Sequence, residues 1–145
     1  MLLSGLDDLY RDDVILDHCR NPRNFQKLND PDFSGNAVNP FCGDEIRIQL
    51  SFDEDGRVEE VGFQGEGCAI NIASGSLMSN AIMGLDRLEI FDLKKQFTSI
   101  MQGDIDKSSE NPVSCGDLAS LFSVKDFPVR IKCVLLSWSA IDDSI

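Results

Sequence analysis

The stretch Glu45 to Gln64 constrains the fold more than any other part of the chain. Ile46, Ile48, Leu50 and Phe52 alternate with Glu45, Arg47, Gln49 and Ser51. That period of two puts one face of a strand in a core and the other in water. Asp53-Glu54-Asp55-Gly56 supplies turn residues, and Val58 to Gln64 predicts the returning strand of a hairpin. A cysteine stands just beyond each end, Cys42 before the first strand and Cys68 after the second. A hairpin is closed at its turn and open where its strands begin and end, so the two thiols are predicted to meet at the open end.

Cys42 is two residues from Asp44. In an extended backbone alternate side chains leave on one face, so thiol and carboxylate are expected to share a space. Gly43 between them leaves room for a ligand above the backbone. Cys68 follows Gln64-Gly65-Glu66-Gly67 and precedes a helical pattern from Ala69 to Met83, with Ile70, Ala73, Leu77 and Ala81 on one stripe and Gly84 as its stop. A helix N-terminus beside Cys68 favours an anionic sulfur. A third thiol, Cys133, lies on a last helix predicted from Pro128 to about Ile141, whose apolar stripe is Val134, Trp138 and Ile141. Arg130 falls one turn before Cys133 on the same face, placed to stabilise a thiolate or a persulfide. Three thiols and a carboxylate form a tetrahedral set suited to zinc or to iron–sulfur chemistry.

The remaining elements are read more coarsely. Residues 6 to 20 predict a helix carrying Leu6, Leu9, Tyr10, Val14 and Leu16, ended by Asn21-Pro22. A short strand is weakly signalled around Gly35 to Val38, and a second helix spans Asp86 to Met101. Asp104 to Pro112 reads as a loop, and Gly116 to Phe122 as one or two helical turns.

A chain of 145 residues is expected to be one domain, 1–145, large enough to bury a core without disulfide staples. The net charge of −12 argues against nucleic acid and against an anionic membrane surface, and would steer a partner with a basic patch. No run of about 18 apolar residues is present, and Met1 to Leu6 meets Asp7-Asp8 without the basic and apolar regions of a secretion signal. Five cysteines in such a chain fit reduced thiols in the cytoplasm better than a disulfide framework.

Several signals have bland readings that weigh more. Cys115-Gly116-Asp117 repeats the Cys-Gly-Asp triplet, but leads into a helical pattern, so Asp117 reads as a helix-start residue and Cys115 as a structural thiol. Cys19 reads as a buried or half-buried thiol of the first helix, and His18 as a capping or hydrogen-bonding residue rather than a ligand. Ser74-Gly75-Ser76 inside a helix reads as a close-packing device, and the acidic pairs at 7–8, 12–13 and 142–143 as solvated faces.

Four ordered motifs carry a resemblance across nearly the whole chain. They are Leu16-Asp17-His18 with Asn21-Pro22-Arg23-Asn24; Asn39-Pro40-x-Cys42-Gly43-Asp44; Phe63-Gln64-Gly65-x-Gly67-Cys68-Ala69-Ile70; and Phe127-Pro128-Val129-Arg130-x-Lys132-Cys133. Together they resemble the IscU/NifU-like family of iron–sulfur cluster biogenesis. Lys132 where IscU proteins carry a histidine, and the long segment between Gly84 and Phe127, are similar to the SufU branch. Cys19 and Cys115 depart from the family pattern, where an aromatic and an aliphatic residue are usual.

The resemblance implies an α/β sandwich with a small antiparallel three-stranded sheet and helices packed on one side, as in SufE/NifU-like proteins. It implies zinc bound by Cys42, Asp44, Cys68 and Cys133, with Arg130 and Lys132 in support. It implies that Cys42 accepts persulfide sulfur from a PLP-dependent cysteine desulfurase of the SufS type and feeds a SufBCD-type scaffold. The chain is then expected to be a zinc-dependent sulfurtransferase. The rival expectation is a scaffold on which a [2Fe–2S] cluster is assembled, with the same three cysteines and Asp44 as ligands.

Overall fold

The computed structural model describes residues 13–39, 43–103 and 116–141. Helix α1 spans Asp13–Arg20, and strands β1 (Phe33–Asn39), β2 (Asp44–Phe52) and β3 (Val58–Glu66) follow. Then come α2 (Ala69–Ile82), α3 (Arg87–Met101), a 3-10 helical segment (Gly116–Asp126) and α4 (Pro128–Ser139). The strands form an antiparallel meander in the order β1-β2-β3. The predicted hairpin is present in register, with Ile48 opposite Phe63 and Glu45 opposite Glu66. The weakly signalled first strand is longer than expected and pairs Asn39 with Asp44 at the same open end.

The inward residues Ile46, Ile48, Leu50, Val61 and Phe63 are buried under the helices, as the alternation requires. The opposite face carries Glu45, Arg47 and Gln64 in solvent, while Gln49 is covered and its Oε1 accepts from the Leu28 N–H at 2.8 Å.

Helix α2 lies at the centre, against α1, the sheet, the 3-10 segment and α4. Its sequence predicts one apolar stripe, but it is buried nearly all round: Asn71, Ser74, Ser76 and Ser79 are as inaccessible as Ile70 and Leu77. The serines are tolerated because each hydroxyl has a partner. Ser74 Oγ donates to Val134 O at 2.6 Å, and Ser79 Oγ to Ser76 O at 2.7 Å. Gly75 permits the close approach of helix and sheet: a Cβ there would lie 2.8 Å from Ile46 Cδ1 and 2.9 Å from the Phe63 ring.

Three boundaries differ from expectation. The buried face of α1 is Ile15 with His18, one turn apart, whereas Leu16 is only half-buried. The predicted residues 6 to 12 of that helix lie outside the described residues, as do the acidic pairs at 7–8 and 142–143 and the segment 104–115 with Cys115. The turns after Gly116 are 3-10 helix and continue to Asp126, and α4 stops at Ser139 with Ile141 buried beyond it. Helix α3 begins as predicted: Asp86 Oδ1 accepts from Glu89 N–H at 2.8 Å and Glu89 Oε1 accepts from Asp86 N–H at 3.1 Å, a capping box.

Candidate metal centre

The open end of the hairpin brings together three of the four predicted donors. Asp44 is the first residue of β2, Cys68 is the cap of α2, separated from the end of β3 by Gly67, and Cys133 lies in the second turn of α4. One ligating atom from each lies within 4.8 Å of the others. Cys42, which falls between β1 and β2 in the sequence, lies outside the described residues. The alternation expected from Cys42 to Asp44 does not run through Gly43, whose φ of +72° is left-handed rather than extended. Its N–H donates to Asn39 O at 2.9 Å, and among the described residues nothing lies within 4 Å of where a Cβ would stand.

Asp44 is the most informative member. Its side chain is buried, at 1% exposure. Oδ1 accepts from the Cys68 backbone N–H at 3.0 Å, and Oδ2 stands 3.6 Å from Cys68 Sγ. Among the described residues one amide and two weak thiol donors, Cys68 and Cys133, leave this buried carboxylate poorly compensated, and such a group calls for a cation. The room the carboxylate itself occupies is left by Gly67, where a Cβ would lie 1.9 Å from Asp44 Oδ1 and 2.6 Å from its Cγ. With φ at +128°, Gly67 also takes a backbone shape that side-chain-bearing residues avoid. The sequence marks the glycine but not its neighbour across the hairpin.

The donor set fits zinc. Tetrahedral ligands at zinc bond lengths stand about 3.3 to 3.8 Å apart, and the Cys68–Asp44 separation of 3.6 Å falls in that range. Two sulfurs and a carboxylate oxygen are also within its chemistry. Cys133 is fully buried, and its thiol is held far above the usual range, first by burial and then by hydrogen bonding and charge at Cys68 and Asp44. A cation entering the site therefore displaces a tightly held proton there.

Asn71, which the sequence does not single out, braces the same end. Fully buried in the first turn of α2, it points Nδ2 at Glu66 O (3.2 Å) and Glu45 O (3.4 Å), carbonyls of the last paired residues of β2 and β3. Arg130 is half-buried in the first turn of α4 and Lys132 is exposed beside Cys133.

His18 is no part of this cluster. It is 4% exposed, with Nδ1 2.6 Å from Ser76 Oγ, the hydrogen-bonding role expected of it. Burial, then the Arg23 charge, hold its pKa below the ordinary value. Arg23 pairs with Asp17 at the surface, which lowers the Asp17 carboxyl.

Among the described residues no helix is long and apolar enough to cross a membrane. The chain is 43% identical over 142 residues, 98% of its length and 92% of the relative's, to the zinc-dependent sulfurtransferase SufU of Bacillus subtilis. It is 37% identical to the iron–sulfur cluster assembly scaffold protein IscU of Streptococcus pyogenes, covering 100% of this chain and 87% of that one. Its fold matches the crystal structure of a putative iron–sulfur cluster assembly scaffold protein for the SUF system from Fervidobacterium islandicum with a TM-score of 0.79. That match has 28% identity and covers 92% of this chain and 93% of that one. Residues 9–134 match the NifU-like N terminal domain, and the chain belongs to that family of iron–sulfur cluster assembly proteins.

Proposed function

We propose that this protein is a zinc-dependent sulfurtransferase: Cys42 takes sulfur from a PLP-dependent cysteine desulfurase of the SufS type and passes it to a SufBCD-type assembly scaffold. The observation that supports this reading is the buried, undercompensated Asp44 carboxylate held within 4.8 Å of the Cys68 and Cys133 thiols. With Cys42 as fourth ligand, the set is three thiolates and one hard oxygen, and zinc bound there would hold its thiols deprotonated. Asp44 orients through its bond from the Cys68 N–H, and Gly67 keeps the carboxylate's space open. The half-buried Arg130 and exposed Lys132 put positive charge on the helix that carries Cys133.

Sulfur transfer balances without an oxidant. Cys42 Sγ forms a bond to the outer sulfur of the desulfurase persulfide, the desulfurase S–S bond breaks, and its thiolate departs. The sulfur then sits on Cys42 as a persulfide.

A second reading, a scaffold for a [2Fe–2S] cluster, uses the same donors, and the name of the Streptococcus relative favours it. Metal content of anaerobically purified protein, measured with desulfurase turnover, separates the two. Zinc with strong stimulation of the desulfurase, lost in Cys42→Ala, supports sulfur transfer. A visible-absorbing iron chromophore supports the scaffold, and full persulfide transfer to Cys42→Ala overturns the acceptor role.

A further inference from the structure

Cys19 takes no part in the three-donor cluster, yet it lies at its rim. It is the next-to-last residue of α1, which packs on α2, and its Sγ donates to Ala69 O at 3.2 Å. Ala69 is the first residue of α2 and directly follows Cys68. Cys19 and Cys68 are both half-buried free thiols within reach of a small solute, whereas Cys133 is fully enclosed in the core.

We propose that Cys19 is the resolving thiol for Cys68, closing a Cys19–Cys68 disulfide when the protein meets hydrogen peroxide. The Cys68 sulfur attacks one peroxide oxygen, the O–O bond breaks, and hydroxide leaves to become water, giving a sulfenic acid. Cys19 Sγ then attacks that sulfur, the S–O bond breaks, and a second water is released. Two thiols lose two electrons in all and one peroxide gains them. The disulfide removes Cys68 from the donor set, so oxidation empties the centre, and reduction by a dithiol restores it. The emptying rests on the metal role proposed above for Cys68; the disulfide does not.

Each of the five cysteines falls in a different tryptic peptide, Cys19 in 12–20, Cys68 in 58–87, Cys42 in 28–47, Cys115 in 108–125 and Cys133 in 133–145. The chelator-stripped, reduced full chain is treated with hydrogen peroxide, alkylated, digested without reduction and mapped by mass spectrometry. The expected dominant crosslink joins 12–20 to 58–87, and in Cys19→Ser it is replaced by sulfinic acid on Cys68. A dominant link from Cys68 to Cys133 or Cys42, or overoxidation of Cys68 in the unaltered chain, overturns the proposal. In zinc-loaded protein, Cys19→Ser is expected to need several-fold more peroxide for half-release of the metal. If the crosslink forms but zinc stays bound, the resolving role stands and the metal role of Cys68 fails.

Discussion

Gly67 and Asp44 occupy each other's space: the Cβ that any other residue would place at position 67 falls 1.9 Å from Asp44 Oδ1. The hairpin's open end thus holds its carboxylate only because the facing strand is followed by a residue without a side chain. Gly67→Ala must either expel the carboxylate or shift the backbone before Cys68, and its φ of +128° adds strain of about 1–3 kcal/mol. The expected outcome is a protein with unchanged far-ultraviolet dichroism whose zinc affinity, read by competition with a chromophoric chelator, falls at least tenfold. Unchanged affinity would show that the carboxylate is not a ligand.

Asp44→Asn separates the carboxylate's charge from its shape. The amide keeps an oxygen for the Cys68 N–H but cannot compensate a cation. In the metal-free protein the substitution removes a buried charge with weak support, so it is expected to cost nothing in urea unfolding. In the presence of zinc the wild type gains stability by mass action, about 2.7 kcal/mol at a hundredfold excess over Kd. The variant is expected to lose most of that gain. A loss of equal size with and without zinc would assign Asp44 a purely structural role.

Much of this was legible in the chain, for identifiable reasons. The hairpin shows in the sequence because β2 buries one face, so Ile46, Ile48 and Leu50 alternate with polar residues. The position of Cys68 at the open end follows from it, since Cys68 stands two residues after the last residue of β3. Helix α2 defeats a stripe reading because its polar residues are satisfied by distant partners, as Ser76 is by His18, 58 residues away. The bracing role of Asn71 depends on carbonyls that no side-chain pattern encodes. The clash that makes Gly67 obligatory links positions 23 residues apart, which local spacing does not reveal.

His18 gives the fold a pH dependence of its own. His18 Nδ1 lies 2.6 Å from Ser76 Oγ, which also accepts from the Arg23 N–H at 2.8 Å. Burial and the Arg23 charge lower the folded pKa, so the unfolded chain binds the proton more readily. The stabilising effect of a neutral His18 is therefore complete above the unfolded value of about 6.5 and is lost as pH falls towards the lower folded value. Urea midpoints should drop from pH 7 to pH 5.5 in the wild type. His18→Asn, which keeps a polar atom near Ser76 but does not titrate, should show a flatter profile. Equal slopes in the two proteins would exclude His18 as the source.

Cys133 acts at the other end of the pH scale and with the opposite sign. Its folded thiol is raised, chiefly by burial, so in the metal-free protein its contribution is fully present below the unfolded thiol pKa of about 8.5. Above that pH the unfolded chain ionises while the folded one resists, and stability falls. Zinc reverses the preference, because the bound sulfur is already a thiolate and has no proton to lose. Metal-free protein is therefore expected to lose melting temperature between pH 8 and pH 10, and zinc-loaded protein to lose much less. Cys133→Ala should flatten the metal-free profile while abolishing the protection by zinc. If zinc protects Cys133→Ala as well as the wild type, the buried thiol is a core residue and the centre draws its sulfur ligands elsewhere.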